Sequence, residues 1–399
     1  MLAPISNCTG CMACLNACPV SCIENVMDKE GFYYPQIEEK QCIKCGKCTS
    51  ACPILQESIK KGYDNPEVYA VWHKDEKIIK KSSSGGAFAV FARYILEKGG
   101  SVFGAAYDEA LCVNHIEVNS LDDLDLLHGS KYVQSNIGDI YRTVKSLLEK
   151  GQYVLFSGTP CQVAGLYGFL GHEDYENLLT CDFVCHGVPS PGVFKKYIDY
   201  KEEKERSKLI KIEMRTKKRS WVSPYGMSHV YNNGKQKELR NVFKDPYMNG
   251  FLYDIFLRNT CYDCPYAKIP RESDITLGDF WGIGIYEPFN HSTKQGISLV
   301  LINSKKGQAV FNNCMGEMYF EKRSLEEAKK GNVMLSPRKY NHPSREAFFK
   351  DMKTKPFEDL IIKYLQRRPS FKNILIKLII KLVGIRNINK VKRVIKRYD

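Results

Sequence analysis

Cys8, Cys11, Cys14 and Cys18 are followed by Pro19, and the same Cys-x2-Cys-x2-Cys-x3-Cys-Pro order returns at Cys42, Cys45, Cys48, Cys52 and Pro53. No other feature constrains the chain as tightly. Such a run binds a cubane iron-sulfur core by crossing: three close cysteines hold three irons of one cube, and the fourth, on the turn of a following helix, reaches the other cube. The spacing therefore predicts two 4Fe-4S clusters, one on Cys8, Cys11, Cys14 and Cys52, the other on Cys42, Cys45, Cys48 and Cys18. A pair of zinc sites is the competing reading. Zinc is content with four ligands in two pairs and gives no reason for two four-cysteine runs that each end in Cys-Pro. Gly10, Ala13 and Gly46 supply small residues where backbone amides approach the sulfurs. Cys22 falls outside the pattern and reads as an ordinary buried thiol.

Residues 1–60 thus read as a bacterial-type ferredoxin domain with two clusters. Nine of the sixteen cysteines lie in the first 52 residues. In this spacing they are ligands rather than a disulfide framework, and they imply a reducing compartment. Met1 to Thr9 lacks a basic n-region and an apolar h-region, and no uncharged apolar run approaches membrane-spanning length. A cytoplasmic protein is expected. The 399 residues, 43% hydrophobic, suffice for two or three domains with a sizeable core.

The net charge of +14 is concentrated at one end. From Leu360 to Asp399 there are twelve Lys or Arg and one acid. With the body nearly neutral and no recognition motif in it, a nucleic-acid partner is not expected. The tail is patterned: Phe371, Ile374, Leu375, Leu378, Ile379, Leu382 and Val383 recur at helical spacing with Lys372, Lys377 and Lys381 between them. Two readings stand. The 346–399 tail is either an amphipathic pair of helices on an anionic membrane face, which would make the protein peripheral on the inner side, or a helix packed on the body with a solvated basic side.

Between these ends the chain has α/β rhythm. Strands are expected over 68–72, 101–107, 153–157, 178–184 and 297–302, with helices over 86–98, 136–150 and 192–204. Between Leu209 and Phe243 the pattern is strand-like with a turn at Asn232, Asn233 and Gly234, which predicts an antiparallel portion. The fold class is therefore α+β or α/β: a small ferredoxin-like domain, a mixed-sheet body over 66–345, and a basic helical tail.

Seven cysteines remain, of which Cys112, Cys181 and Cys314 have unremarked surroundings. Cys161 follows the turn Ser157-Gly158-Thr159-Pro160, Cys185 opens the turn His186-Gly187 after a strand, and Cys261 and Cys264 form Cys-Tyr-Asp-Cys-Pro. A lone Cys-x-x-Cys is open to a redox dithiol, half a zinc site or chance. Pro265 after Cys264 echoes the cluster-binding Cys-Pro and favours metal.

Several motifs together resemble the beta subunits of coenzyme F420 hydrogenases and dehydrogenases. They are Ser83-Ser84-Gly85-Gly86-Ala87-Phe88, Gly129-Ser130-Lys131-Tyr132, Gly158-Thr159-Pro160-Cys161-Gln162, Cys185-His186-Gly187, Cys261 to Pro265, and Ser273-Asp274 through Gly278-Asp279-Phe280-Trp281-Gly282. Ferredoxin-dependent chlorophyll reductases of plants look similar, so the resemblance names no single substrate. It implies a third 4Fe-4S cluster on Cys161, Cys185, Cys261 and Cys264, FAD beside it, and an electron path from flavin through clusters to a partner.

Ser84, Gly85 and Gly86 at a helix start supply free amides and a positive dipole end that suit a pyrophosphate; a plain Ser cap with packing glycines is the bland alternative. Gly129, Ser130, Lys131 and Tyr132 would place an ammonium beside the flavin ring, where a solvated lysine is the default. Gly158, Thr159 and Pro160 join them as candidate flavin contacts. There is no Gly-x-Gly-x-x-Gly after a strand, so a nicotinamide Rossmann site is not supported. Lys131, His186 and Asp279 are the catalytic candidates. The expected function is an iron-sulfur flavoprotein oxidoreductase that moves electrons between a small-molecule redox substrate, with coenzyme F420 the family's example, and a ferredoxin-like carrier or partner subunit. The alternative is an electron-transfer subunit of a larger complex with no small-molecule site of its own.

Overall fold

The computed structural model describes residues 1–56, 62–218, 220–222, 224–337 and 339–366. Its centre is an eight-stranded mixed sheet. Four neighbouring strands, Ser101–Tyr107, Val154–Ser157, Leu178–Phe183 and Ile275–Asp279, run parallel. Antiparallel strands complete both sides: Val113–Val118 at one edge, and Ser298–Ile302, Glu67–His73 and Met318–Arg323 at the other. Helices cover both faces of the parallel strands, and Val154, Leu155 and Phe156 of the central one are fully buried. On one face Phe91, Ile95 and Phe311 from the helices Ala87–Glu97 and Lys305–Cys314 pack on Leu155, Leu179, Ile275 and Val300. On the other, Tyr141, Val144, Val163 and Leu166 from the helices Ile140–Glu149 and Pro160–Phe169 pack on Phe103, Phe156 and Leu178.

The expected antiparallel portion is a separate three-stranded sheet, Leu209–Thr216, Gly226–Tyr231 and Gln236–Leu239. The ferredoxin-like head has the hairpin Ile23–Met27 and Tyr33–Ile37 with short helices at Ala13–Ala17 and Lys47–Ser50. It is welded to the body. Cys11, Met12, Ala13 and Ala51 share a core with the sheet's helices, and Phe32 and Tyr34 share another with Tyr197, Phe256 and Phe348. Glycines make the close approach possible: a Cβ on Gly168 would stand 2.4 Å from the carbonyl oxygen of Ala51.

The structure differs from expectation at the C-terminal boundary. Residues 346–366, assigned above to the basic tail, pack into the body, with Phe348, Phe349, Met352, Phe357, Leu360 and Leu365 buried in its largest core. Their apolar spacing serves the protein interior. The basic amphipathic stretch over Phe371–Val383 and beyond lies outside the described residues. Among the described residues no helix is long and apolar enough to cross a membrane.

Candidate functional site

Three sets of thiols and two cavities lie between the head and the carboxyl ends of the parallel strands. In the head, Cys14 lies close enough to Cys11, Cys8 and Cys52 for their electrostatics to push it upward, and Cys11 likewise to Cys8 and Cys52. The fourth cysteine of the second run therefore joins the first three of the first run, the crossing that the spacing predicts. A cavity of about 220 Å³ is lined by Cys42, Cys45, Cys48 and Cys18, the complementary set. Cys22 lines it too, its Sγ 3.4 Å from that of Cys18. Cys22 thus sits at the rim of a cluster-sized space, a placement its sequence position did not suggest.

Cys161, Cys185, Cys261 and Cys264 come from three separate stretches of chain and meet in the interior. Cys185 lies near Cys261, Cys161 and Cys264, and Cys161 near Cys264 and Cys261, close enough for these neighbours to push both upward. Cys161 owes its place to a helix start: Thr159 is the N-cap and Pro160 the first helical residue. The Thr159 backbone N–H donates to Gln162 Oε1 at 2.9 Å, while the Thr159 hydroxyl accepts from the Gln162 N–H, a reciprocal capping box. The Gly-Thr-Pro-Cys-Gln motif thus aims the Cys161 thiol off the end of a parallel strand. Cys185 leaves the next strand two residues after Phe183. Burial pushes the Cys161 and Cys261 thiols up to about 12, and Cys185 and Cys264 upward as well. Bare thiolates would be costly there. A bound metal would supply the positive charge that stabilises them.

The head set adjoins this interior set. Cys161 is among the charged neighbours of Cys11, and a Cβ on Gly165, one turn along the same helix, would lie 2.9 Å from Cys11 Sγ.

A cavity of about 440 Å³ opens on the other side of Cys161 and Cys185. It sits at the carboxyl ends of the parallel strands, where open α/β sheets place ligands. Ser84, Gly86, Gly129, Ser130, Lys131 and Tyr132 line it, as do Gly158 and Thr159, and the catalytic candidates His186 and Asp279. The Ser83 and Ser130 hydroxyls are 2.8 Å apart, so two motifs separated by 47 positions form one wall. Gly85 and Pro160 stand behind the wall: a Cβ on Gly85 would strike the Val71 carbonyl oxygen at 2.3 Å, and Pro160 is buried as the first residue of its helix. Ser84 is not a helix cap. Its hydroxyl donates to the Ile297 carbonyl at 2.8 Å, and Gly86, left-handed at φ 91°, begins the helix with no side-chain cap.

Lys131 donates to the carbonyls of His128 at 2.8 Å and Leu126 at 3.1 Å, and burial lowers its pKa to about 7. It is no solvated lysine. His186 Nε2 lies 2.7 Å from Asp254 Oδ1. Both Asp279 oxygens are engaged, one by Trp221 Nε1 at 2.8 Å and the other by Arg215. This leaves Asp279 as a wall residue holding Arg215 in place.

Sequence reasoning missed the residues that lock the site. Arg271, buried, pairs with buried Asp182 at 3.1 Å and donates to the carbonyls of Tyr266 and Phe183, which ties the Cys261–Cys264 segment to the strand before Cys185. Asp274, quoted above only as part of a motif, accepts from the Thr180 N–H at 2.9 Å and the Ser304 hydroxyl at 2.6 Å, and so joins neighbouring strands. His115, held low at about 4 by burial, bridges Ser135 and the Ser157 carbonyl under the cavity. Nothing in their local sequence signals these contacts.

A family model for the C terminus of the coenzyme F420 hydrogenase/dehydrogenase beta subunit matches residues 151–328, and one described as "4Fe-4S dicluster domain" matches residues 7–54. Among solved structures, one described as "Xenon derivatization of the F420-reducing [NiFe] hydrogenase complex from Methanosarcina barkeri" is similar at 17% identity with a TM-score of 0.46, over 79% of this chain and 98% of that chain.

Proposed function

We propose that this chain, whose residues 151–328 match the coenzyme F420 hydrogenase/dehydrogenase beta-subunit family and whose residues 7–54 are a 4Fe-4S dicluster domain, is an iron-sulfur flavoprotein oxidoreductase. Its substrate is a small molecule that gives or takes a hydride in the cavity, and its partner is a ferredoxin-like carrier or a companion polypeptide of a larger complex. The observation that carries this reading is the order in space: cavity, then Cys161 and Cys185 in its wall, then Cys11 against Cys161, then the second head set with exposed Cys45 at the surface.

The donor sets fit three 4Fe-4S clusters. All the ligands are thiols, and the buried ones are stable as thiolates only beside bound metal. Among the described residues no three His, Cys, Asp or Glu side chains converge to hold a single ion. Ligands of one zinc would crowd to roughly 3.8 Å of one another, whereas a cubane needs a wider cage. The cavity fits an FAD: a glycine-led helix start and two serine-rich loops suit a pyrophosphate, and Lys131 suits an anionic ring edge. Flavin there would supply the exchange between electron pairs and single electrons. This chain's residues bind and orient: the capping box fixes Cys161, Arg271 fixes the Cys261–Cys264 segment, and Phe251 packs edge-on against His186 at the cavity wall.

Anaerobic reconstitution with iron, sulfide and FAD tests the reading. About twelve irons and one flavin per chain are expected, followed by flavin reduction from one of deazaflavin, nicotinamide or reduced ferredoxin. Iron without flavin would reduce the protein to an electron carrier.

A further inference from the structure

Arg258 is fully buried and, among the described residues, forms no ion pair with a carboxylate. The nearby acids are engaged elsewhere: Glu30 pairs with Arg345, and Asp28 accepts backbone N–H groups at Glu30 and Phe32. A buried cation without a counter-charge is strongly disfavoured, so the fold must supply one. Two thiol sets face it. Arg258 Nε donates to the Cys8 carbonyl at 2.8 Å, and Nη2 lies 3.8 Å from Cys8 Sγ. On the other side the Arg258 carbonyl accepts the Cys261 N–H at 2.9 Å, which sets the interior thiols beside it, and its charge opposes the rise that burial causes at Cys161 and Cys261.

The guanidinium is held rigidly in this position. Nη1 donates to the Tyr33 carbonyl at 3.0 Å and to Gln134 Oε1 at 3.4 Å, and the plane lies over the Tyr34 ring with Cζ 3.8 Å from its centroid. Gly10 leaves it room, since a Cβ there would meet Cζ at 2.8 Å.

We propose that Arg258 is the shared counter-charge of two clusters, the one on Cys8, Cys11, Cys14 and Cys52 and the one on Cys161, Cys185, Cys261 and Cys264, and that it raises both reduction potentials together. The proposal rests on the three-cluster reading above. A thiolate-ligated cubane gains one negative charge on reduction, so a fixed neighbouring cation favours the reduced state. Because Arg258 faces both sets, it stabilises an electron on either side. It is a positioning charge and touches no substrate.

Redox titration of the full, iron-loaded chain followed by electron paramagnetic resonance tests this. Arg258→Gln removes the charge. Gln134→Glu keeps the hydrogen-bond acceptor in place but cancels the charge, and it decides the matter if Arg258→Gln does not fold. Both are expected to lower the potentials of the same two clusters by at least tenfold in the reduced-to-oxidised ratio, about 59 mV, with the third unchanged. Arg258→Lys, which retains the charge, is expected to stay near wild type. Unmoved potentials in Gln134→Glu, or an equal shift of all three clusters, would overturn the proposal. A wild-type protein with only about eight irons would instead remove the three-cluster reading before any variant is compared.

Discussion

Gly165 faces Cys11 across the seam between head and body so closely that a Cβ on the glycine would stand 2.8 Å from the cysteine's Cβ. The helix that carries Cys161 therefore touches a ligand candidate of the head directly. Gly165→Ala is expected to cost about 1–3 kcal/mol through overpacking and to loosen the head. Thermal unfolding of the iron-loaded protein checks it, with Gly316→Ala, where a Cβ meets nothing within 4 Å, as the neutral control. Equal melting temperatures for the two variants would show that the seam yields.

Cys161→Ala is expected to remove about four of about twelve irons and to leave the head's eight in place. Cys181→Ala is the control. That thiol is buried inside a strand, packed against the sheet's helices. Iron analysis that finds the same content in both variants would refute the interior cluster.

Arg271→Met leaves Asp182 buried beside no cation. The expected loss is about 3–5 kcal/mol, most of it recovered by adding Asp182→Asn. Denaturant unfolding of both single variants and the double variant measures the coupling. An additive double variant would mean that the pair does not tie the Cys261–Cys264 segment down.

Lys131 carries its charge below about 7 and loses it above, because burial lowers its pKa from the ordinary lysine value. An anionic ligand in the cavity gains only from the charged form. FAD should therefore bind several-fold more tightly at pH 6 than at pH 8, and Lys131→Met should flatten that dependence. Parallel slopes in a fluorescence titration would place the titrating group elsewhere.

The local order of residues sufficed for everything that depends on spacing along one stretch of chain. The crossed head cysteines follow from the repeat at Cys8 and Cys42, and the parallel strands from apolar runs such as Val154–Phe156. Ser101–Tyr107 was legible to the residue. The strand Ile275–Asp279 was not, because Thr276, Gly278 and Asp279 dilute its apolar pattern, and its pairing with Leu178–Phe183 bridges almost a hundred residues. The boundary at 346 was not legible either: nothing local to residues 346–366 says that Phe348, Phe349, Phe357 and Leu360 fill the core of the body.

Chemistry that needs distant partners was decided by tertiary structure alone. Arg258 and Arg271 look like any other arginines in sequence, since their meaning lies in what burial denies them, a water shell, and in what stands opposite, thiols in one case and Asp182 in the other. The sequence by itself determined which atoms are available as ligands. Only the folded chain decided that the head thiols adjoin Cys161 and that Cys161 lines the cavity, because head and body bury their apolar faces in shared cores.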